Sequence, residues 1–255
     1  MPNDPHTLAI LGYGRFGAAV ADLAESVGIR PIAFDAAAPV PAGRSADSLA
    51  DLAQQARTIL LAVPVPAIPA ALRDLAPRLT PEHLVLDAGS VKLAPIAAMR
   101  SALGTRVSWI GTHPLFGPIS LARNERPLRV VVCPNEQHPA ARTRATALYE
   151  SLGCEVIAQD ADAHDRLMAE THALAFFIAK GLIDVRAGEN AAFVPPSFHA
   201  MRAAVDAVRG DAGHLFSVIQ RDNPYAPAAR RALLDALERI HHSLAGHDPL
   251  DIPTP

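Results

Sequence analysis

Gly12-Tyr13-Gly14-Arg15-Phe16-Gly17, a Gly-x-Gly-x-x-Gly, lies near the start of the chain, directly after the apolar run Leu8–Leu11. Glycines at this spacing serve a tight turn, a close approach of backbone to a pyrophosphate, and close packing of helix on strand. A helix opening at such a turn offers unpaired N–H groups and a partial positive charge to phosphates. Asp35 follows 18 residues beyond Gly17, a spacing that suits a carboxylate accepting hydrogen bonds from adenosine ribose hydroxyls. An acid there repels a 2′-phosphate, and no Arg or Lys occurs between Asp35 and Arg44, so NAD is expected over NADP. Val63 and Pro64, at the end of a further apolar run, are expected to line the same cleft. Every residue of the glycine segment, from Gly12 through Tyr13, Gly14, Arg15 and Phe16 to Gly17, is expected to meet the cofactor.

Two more clusters carry groups able to act on a bound small molecule. Asp87-Ala88-Gly89-Ser90-Val91-Lys92 ends one apolar run, and Gly111-Thr112-His113-Pro114-Leu115-Phe116-Gly117-Pro118 ends the next. Ligands of open α/β sheets bind outside the carboxyl ends of the strands, so Ser90 and His113 are expected to converge near a nicotinamide. An imidazole, with an ordinary pKa of about 6.5, is suited to accept a hydroxyl proton as hydride leaves. His113 is therefore the expected catalytic base. Ser90 either orients that imidazole or binds the same hydroxyl, and Gly117 borders the substrate. Of 23 basic residues only Lys92 and Lys180 are lysine, which singles out Lys92 to hold a substrate carboxylate or to anchor its loop.

The elements that must position these clusters alternate. Strands are expected at Leu8–Leu11, Pro31–Phe34, Thr58–Val63, Leu84–Asp87, Val107–Ile110, Arg129–Cys133 and Glu155–Ala158, with helical patterns such as Phe16–Val27, Leu49–Ala56, Ile68–Leu79 and Pro139–Leu152 between them. Alternation of this kind predicts an α/β domain, a Rossmann-type, doubly wound, mostly parallel sheet. Beyond Gln159 only helix-length segments follow, roughly Asp162–Arg186, Ser197–Val208, Gly213–Arg221 and Ala226–Leu244, broken at Pro195-Pro196, Gly210–Gly213 and Asn223-Pro224. The expected organisation is a dinucleotide-binding domain over 1–160, an all-helical second domain over 161–245, and a flexible tail over 246–255.

Composition narrows the function further. With 255 residues, half of them apolar, and a formal net charge of −3, the chain has a large core and no basic excess to neutralise a nucleic acid. No stretch reaches the ~18 apolar residues of a membrane span, and residues 1–11 lack a signal-peptide pattern. Its two cysteines, Cys133 and Cys154, read as reduced core residues. A cytoplasmic protein is expected. His241-His242 reads as a polar helix face, without partners at metal-ligand spacing.

Asp87-x-x-Ser90-Val91-Lys92 followed by Thr112-His113-Pro114-Leu115-Phe116-Gly117-Pro118 resembles the prephenate/arogenate dehydrogenases of tyrosine biosynthesis. His164-Asp165-x-x-Met168-Ala169, Gly210-Asp211-x-x-x-Leu215-Phe216 and Asn223-x-x-Ala226 extend the resemblance over nearly the whole chain. It implies oxidative decarboxylation of a cyclohexadienyl substrate with hydride transfer to NAD, His113 taking the ring hydroxyl proton with support from Ser90. It also implies a homodimer paired through the helical domain. Many members carry a second histidine where Phe176 stands, with His172 one turn earlier, and prephenate-selective members carry an arginine near His199. His172 and His199 are therefore the expected further substrate contacts, and arogenate, prephenate or a 4-substituted analogue remain open as substrate. Two other readings stand beside this one. A β-hydroxyacid dehydrogenase would use Lys180, although Asp184 occupies its partner asparagine position, and a non-catalytic NAD-binding sensor would keep only the fold.

Overall fold

The computed structural model describes residues 6–210 and 214–246. The expected tail beyond Gly246 and the expected break at Asp211, Ala212 and Gly213 lie outside them. Among the described residues, seven strands form one sheet: β1 (Thr7–Leu11), β2 (Arg30–Phe34), β3 (Thr58–Leu61), β4 (Leu84–Asp87), β5 (Ser108–Pro114), β6 (Leu128–Cys133) and β7 (Cys154–Ala158). Their order is β2-β1-β3-β4-β5-β6-β7. All neighbours are parallel except β5 and β6. Strands β1 and β4 are buried at every residue, as expected where helices cover both faces.

The chain reverses direction across the sheet between β1 and β3, and this switch point opens a crevice beyond their carboxyl ends. Helix α1 (Arg15–Ser26) leaves that crevice and buries Gly17, Val20, Ala21 and Ala24, the i, i+3, i+4, i+7 stripe of a helix lying on a sheet. Then come α2 (Leu49–Gln55), α3 (Ile68–Leu75), α4 (Leu93–Leu103), the short α5 (Pro118–Ala122) and α6 (Pro139–Ser151). Ser48 caps α2, its hydroxyl accepting from the Asp51 amide at 3.1 Å. Leu8, Ile10, Val20, Leu60, Leu86, Ile110 and Val130 belong to the core.

One strand departs from expectation in a way that matters. β5 does not stop at Ile110 but runs on to Pro114, because Gly111, Thr112, His113 and Pro114 pair antiparallel with Cys133, Val132, Val131 and Val130. A partner strand running the other way leaves no trace in the periodicity of the segment itself. His113 consequently lies within a strand rather than on the loop after it.

The described residues fall into two compact units, one ending at His164 and the other beginning at Asp165. The long helix expected over Asp162–Arg186 is α7 (Ala161–Met168), a π-helical turn over Ala169–Ala173, and α8 (Leu174–Asp184). The second unit continues with α9 (Pro196–Gly210), α10 (His214–Ser217), a second π-helical turn over Val218–Asp222, and α11 (Ala226–Gly246). Ala169, Ala173, Ile219 and Ala226 pack together. The buried Gln220 donates to the Ala173 carbonyl at 2.7 Å, and Arg230 donates to the Gln220 carbonyl at 2.7 Å and to its side-chain oxygen at 2.9 Å. The buried Asn223 donates to the Asp165 carbonyl at 2.7 Å and accepts from the Tyr225 amide at 2.9 Å. Among the described residues, no helix is long and apolar enough to cross a membrane.

Candidate active site

The glycine turn has the shape its chemistry needs. Gly12 has φ +105°, and a methyl group on it would lie 2.8 Å from the Ala62 carbonyl and 2.9 Å from the Val63 amide nitrogen. The end of β3 is thus pressed against the turn at Val63, one residue before the exposed Pro64. A methyl group on Gly17 would lie 2.1 Å from the Gly12 carbonyl oxygen, so only glycine lets α1 start here. At Gly14 the opposite holds: nothing lies within 4 Å of where a side chain would begin. Gly14 caps α1 without a side-chain hydrogen bond. The outcome is an open cradle in front of first-turn N–H groups, the donor set a pyrophosphate requires. Arg15 is exposed beside it, and the Phe16 ring sits 6.4 Å from that of Phe116, joining this turn to the His-Pro-Leu-Phe-Gly-Pro segment.

Asp35 closes the far side of the turn. Its carboxylate accepts from the amides of Tyr13 at 2.7 Å and of Ala37 and Ala38 at 2.8 Å. Burial pushes this carboxyl up, but the Ala38, Ala37 and Tyr13 amides outweigh it and hold the group below its ordinary value. It is a carboxylate at neutral pH, with lone-pair capacity left for a ribose hydroxyl. Sequence reasoning passed over Arg44, which the fold brings onto the same turn. Arg44 donates to the Tyr13 hydroxyl at 3.0 Å and to Asp22 at 2.6 Å, and also to Glu25. Hydrogen bonds donated to Asp22 and then to Glu25 raise its pKa further, and both carboxylates offset its charge. Arg44 and Tyr13 stand 31 positions apart, and nothing in the sequence signals their contact.

At the carboxyl end of β4 the Asp87 carboxylate gathers Lys92, the Thr112 amide at 3.0 Å and the Gly89 amide at 2.9 Å. Lys92 also donates to the Thr112 carbonyl. Both side chains of this ion pair are 0% exposed. Burial pushes the Asp87 carboxyl up, against the pull of Lys92 and the two amides. Of the two roles expected for Lys92, a substrate contact or an anchor, the geometry describes the anchor's contacts: a fully buried ammonium engaged by a carboxylate and a carbonyl ties β4 to β5. Thr112 completes the tie, its hydroxyl donating to the Asp87 carbonyl and receiving the phenol of Tyr149 at 2.7 Å.

This scaffold holds His113. The imidazole is buried, with Nδ1 2.9 Å from Nε2 of His164. The two rings meet nearly at right angles, 80°, with centroids 5.1 Å apart. Ser90, three residues past the end of β4, is half-buried, and so is Gly117 at the start of α5. β4 and β5 are adjacent and parallel, so Ser90 and His113 leave the sheet at one edge. His164, Tyr149, Thr112 and Asp87 were not expected as site residues. Asp87, Thr112 and the His164-Asp165 pair stood in the motifs without a role, and Tyr149 carried no signal. His172 lies in the first π-helical turn, edge-on to Phe176 at 4.5 Å, and His199 is exposed on α9. Both belong to the second unit. Lys180 is paired with Asp184, one turn on. Among the described residues, no group of three or more His, Cys, Asp or Glu side chains is placed to hold a metal ion.

The sheet, the glycine turn and this edge define a Rossmann-type, NAD-binding oxidoreductase. The chain belongs to the prephenate dehydrogenase family: the profile of the prephenate dehydrogenase nucleotide-binding domain matches residues 30–158. It is 32% identical over 238 residues to the 4-amino-4-deoxyprephenate dehydrogenase of Streptomyces pristinaespiralis, covering 91% of this chain and 75% of that protein. To the cyclohexadienyl dehydrogenase of Zymomonas mobilis it is 27% identical over 215 residues, 79% of this chain and 72% of the other. Among solved structures, prephenate dehydrogenase from A. aeolicus in complex with hydroxyphenyl propionate and NAD+ matches with a TM-score of 0.74 at 17% identity, over 94% of this chain and 91% of that one. At that identity the likeness is one of fold.

Proposed function

We propose that this protein oxidatively decarboxylates a cyclohexadienyl substrate, arogenate or prephenate, giving tyrosine or 4-hydroxyphenylpyruvate. The observation that carries the assignment of the base is the buried imidazole of His113, with Nδ1 committed to His164, which leaves proton transfer with the substrate to Nε2. NAD, when bound, would supply the acceptor for the hydride leaving C4 of the ring. Gly12, Gly14 and Gly17, with the first turn of α1, would hold its pyrophosphate, while Asp35 would accept from the adenosine ribose hydroxyls and disfavour a 2′-phosphate. Tyr13, Arg15, Phe16, Val63 and Pro64 border the same cleft. His113 Nε2 takes the C4 hydroxyl proton as the C4–H electron pair departs, and Ser90 hydrogen-bonds that hydroxyl. The C1–carboxylate bond then breaks, its electrons enter the ring and carbon dioxide leaves. Aromatisation supplies the driving force, so the chain has to position two molecules and move one proton.

The identity of 32% to the Streptomyces pristinaespiralis enzyme favours a second reading of the same site, a substrate with an amine in place of the C4 hydroxyl. His113 would then accept an N–H proton. The helical unit is assigned to subunit pairing and to further substrate contacts through His172 and His199. Exposed Leu237, Ile240 and Leu244 line one stripe of α11, which supports a homodimer. Two buried cysteines that form no disulfide suit the cytoplasm.

Purified protein offered prephenate, arogenate and 4-amino-4-deoxyprephenate, each with NAD and with NADP, is expected to form NADH with one of them. His113→Asn should lower kcat by roughly 10²–10⁴. Absence of reduced cofactor in all six mixtures overturns the reaction, and an unchanged kcat in His113→Asn overturns the assignment of the base.

A further inference from the structure

We propose that His164 is a positioning residue for the reaction: its Nε2 accepts the Nδ1 proton of His113 and fixes the base in the one tautomer able to take a proton from substrate. The inference rests on His113 being that base. Two ring nitrogens 2.9 Å apart need one proton between them, since two protons repel and two lone pairs do the same. Only two neutral arrangements satisfy this. If His164 donates, His113 accepts at Nδ1 and carries its own proton on Nε2, where it has no lone pair for the substrate. If His113 donates from Nδ1, its Nε2 keeps a lone pair and can act. The chemistry selects the second arrangement.

Burial makes the selection effective. His113 is 4% exposed and His164 0%, so neither ring can exchange its partner for bulk water. Residue 164 opens near the start of α7, with its amide bonded to the Asp160 carbonyl at 2.9 Å. That end of the helix is thus fixed beside β5. Among the ionisable groups beside this stretch of β5 are Asp87 and Lys92, which compensate each other, and the Tyr149 phenol, which is pushed up by burial. An imidazole acceptor differs from the carboxylate that orients the histidine of a Ser-His-Asp triad. Being neutral, it sets the tautomer without adding a negative charge that would keep the base protonated at neutral pH. After proton transfer, the Nδ1–H bond strengthens toward the charged imidazolium and stabilises it.

His164→Leu removes the acceptor, whereas His164→Gln keeps an amide oxygen at about the same reach. Measured with the substrate that the wild-type protein turns over, His164→Leu is expected to lower kcat on the order of 10²-fold, less than loss of a charged orienting group. KM and NAD affinity should change little. A hydrogen bond to a charged group is worth about 1 kcal/mol more than one to a neutral group, so the acid limb of kcat/KM should move to lower pH by about 0.5–1 unit in the Leu variant. His164→Gln should restore most of kcat and the wild-type limb. A Leu variant with wild-type kcat and pH profile sinks the inference. So does a Gln variant as impaired as Leu with its limb unmoved. Should the Leu variant fail to fold, nitrogen-15 NMR of the wild-type protein decides: a proton on His113 Nδ1 supports the assignment, and one on Nε2 overturns it. Loss of activity in His113→Asn alone removes the role of His164 while keeping the base, whereas an active His113→Asn removes the base itself.

Discussion

Lys92 shows how one buried side chain ties two neighbouring strands together. A buried ion pair adds little net stability over apolar packing, but removing one partner leaves an uncompensated charge in a dry interior. Asp87 and Lys92 are both fully buried, so Lys92→Met should destabilise the protein by about 3–5 kcal/mol in a urea titration. Asp87→Asn combined with Lys92→Met should recover part of that loss, because no lone charge remains. If Lys92→Met instead keeps its midpoint and raises only KM, the ammonium meets substrate after all. The rarity of lysine pointed to this position, and its two possible roles were separable only once the carboxylate beside it was known.

At the scale of elements, the site depends on where one strand ends and where one helix begins. Strand β5 carries His113 three residues past its last pairing with β4, where its partner strand is β6. In the second unit, Asn223 holds the start of α11 against the Asp165 carbonyl. Asn223→Ala removes the donor to that carbonyl and the acceptor of the Tyr225 amide. A loss of about 1–3 kcal/mol is expected, together with faster hydrogen exchange over the π-helical turn at 169–173. Exchange unchanged in that turn would show that Asn223 does not brace it. The Asn-x-x-Ala spacing was legible in the sequence. Its reason, a buried amide with a small alanine beside it, is a matter of packing.

For the molecule as a whole, the outer stripe of α11 sets the expected assembly. Leu237, Ile240 and Leu244 are 50%, 48% and 60% exposed, an apolar row on a helix that a lone chain leaves in water. Leu237→Glu with Leu244→Glu should convert a dimer to a monomer by light scattering, because charged groups in an apolar interface lose their hydration. A double variant that still elutes as a dimer places the contact elsewhere. Cys154, with its thiol pushed up to about 11 by burial, should resist alkylation at pH 8 in either state, the thiolate being the reactive form.

The sequence alone determined the seven apolar runs and the glycine turn, and it singled out His113 as the group suited to accept a proton. Each of these depends on residue type and spacing within one short segment. Tertiary structure decided which groups stand next to those residues: Arg44 on Tyr13, Lys92 on Asp87, His164 on His113. Such contacts join segments far apart along the chain, or resolve between roles that one segment permits equally. Local pattern reports what a residue can do, and its neighbours in space set which of those things it does.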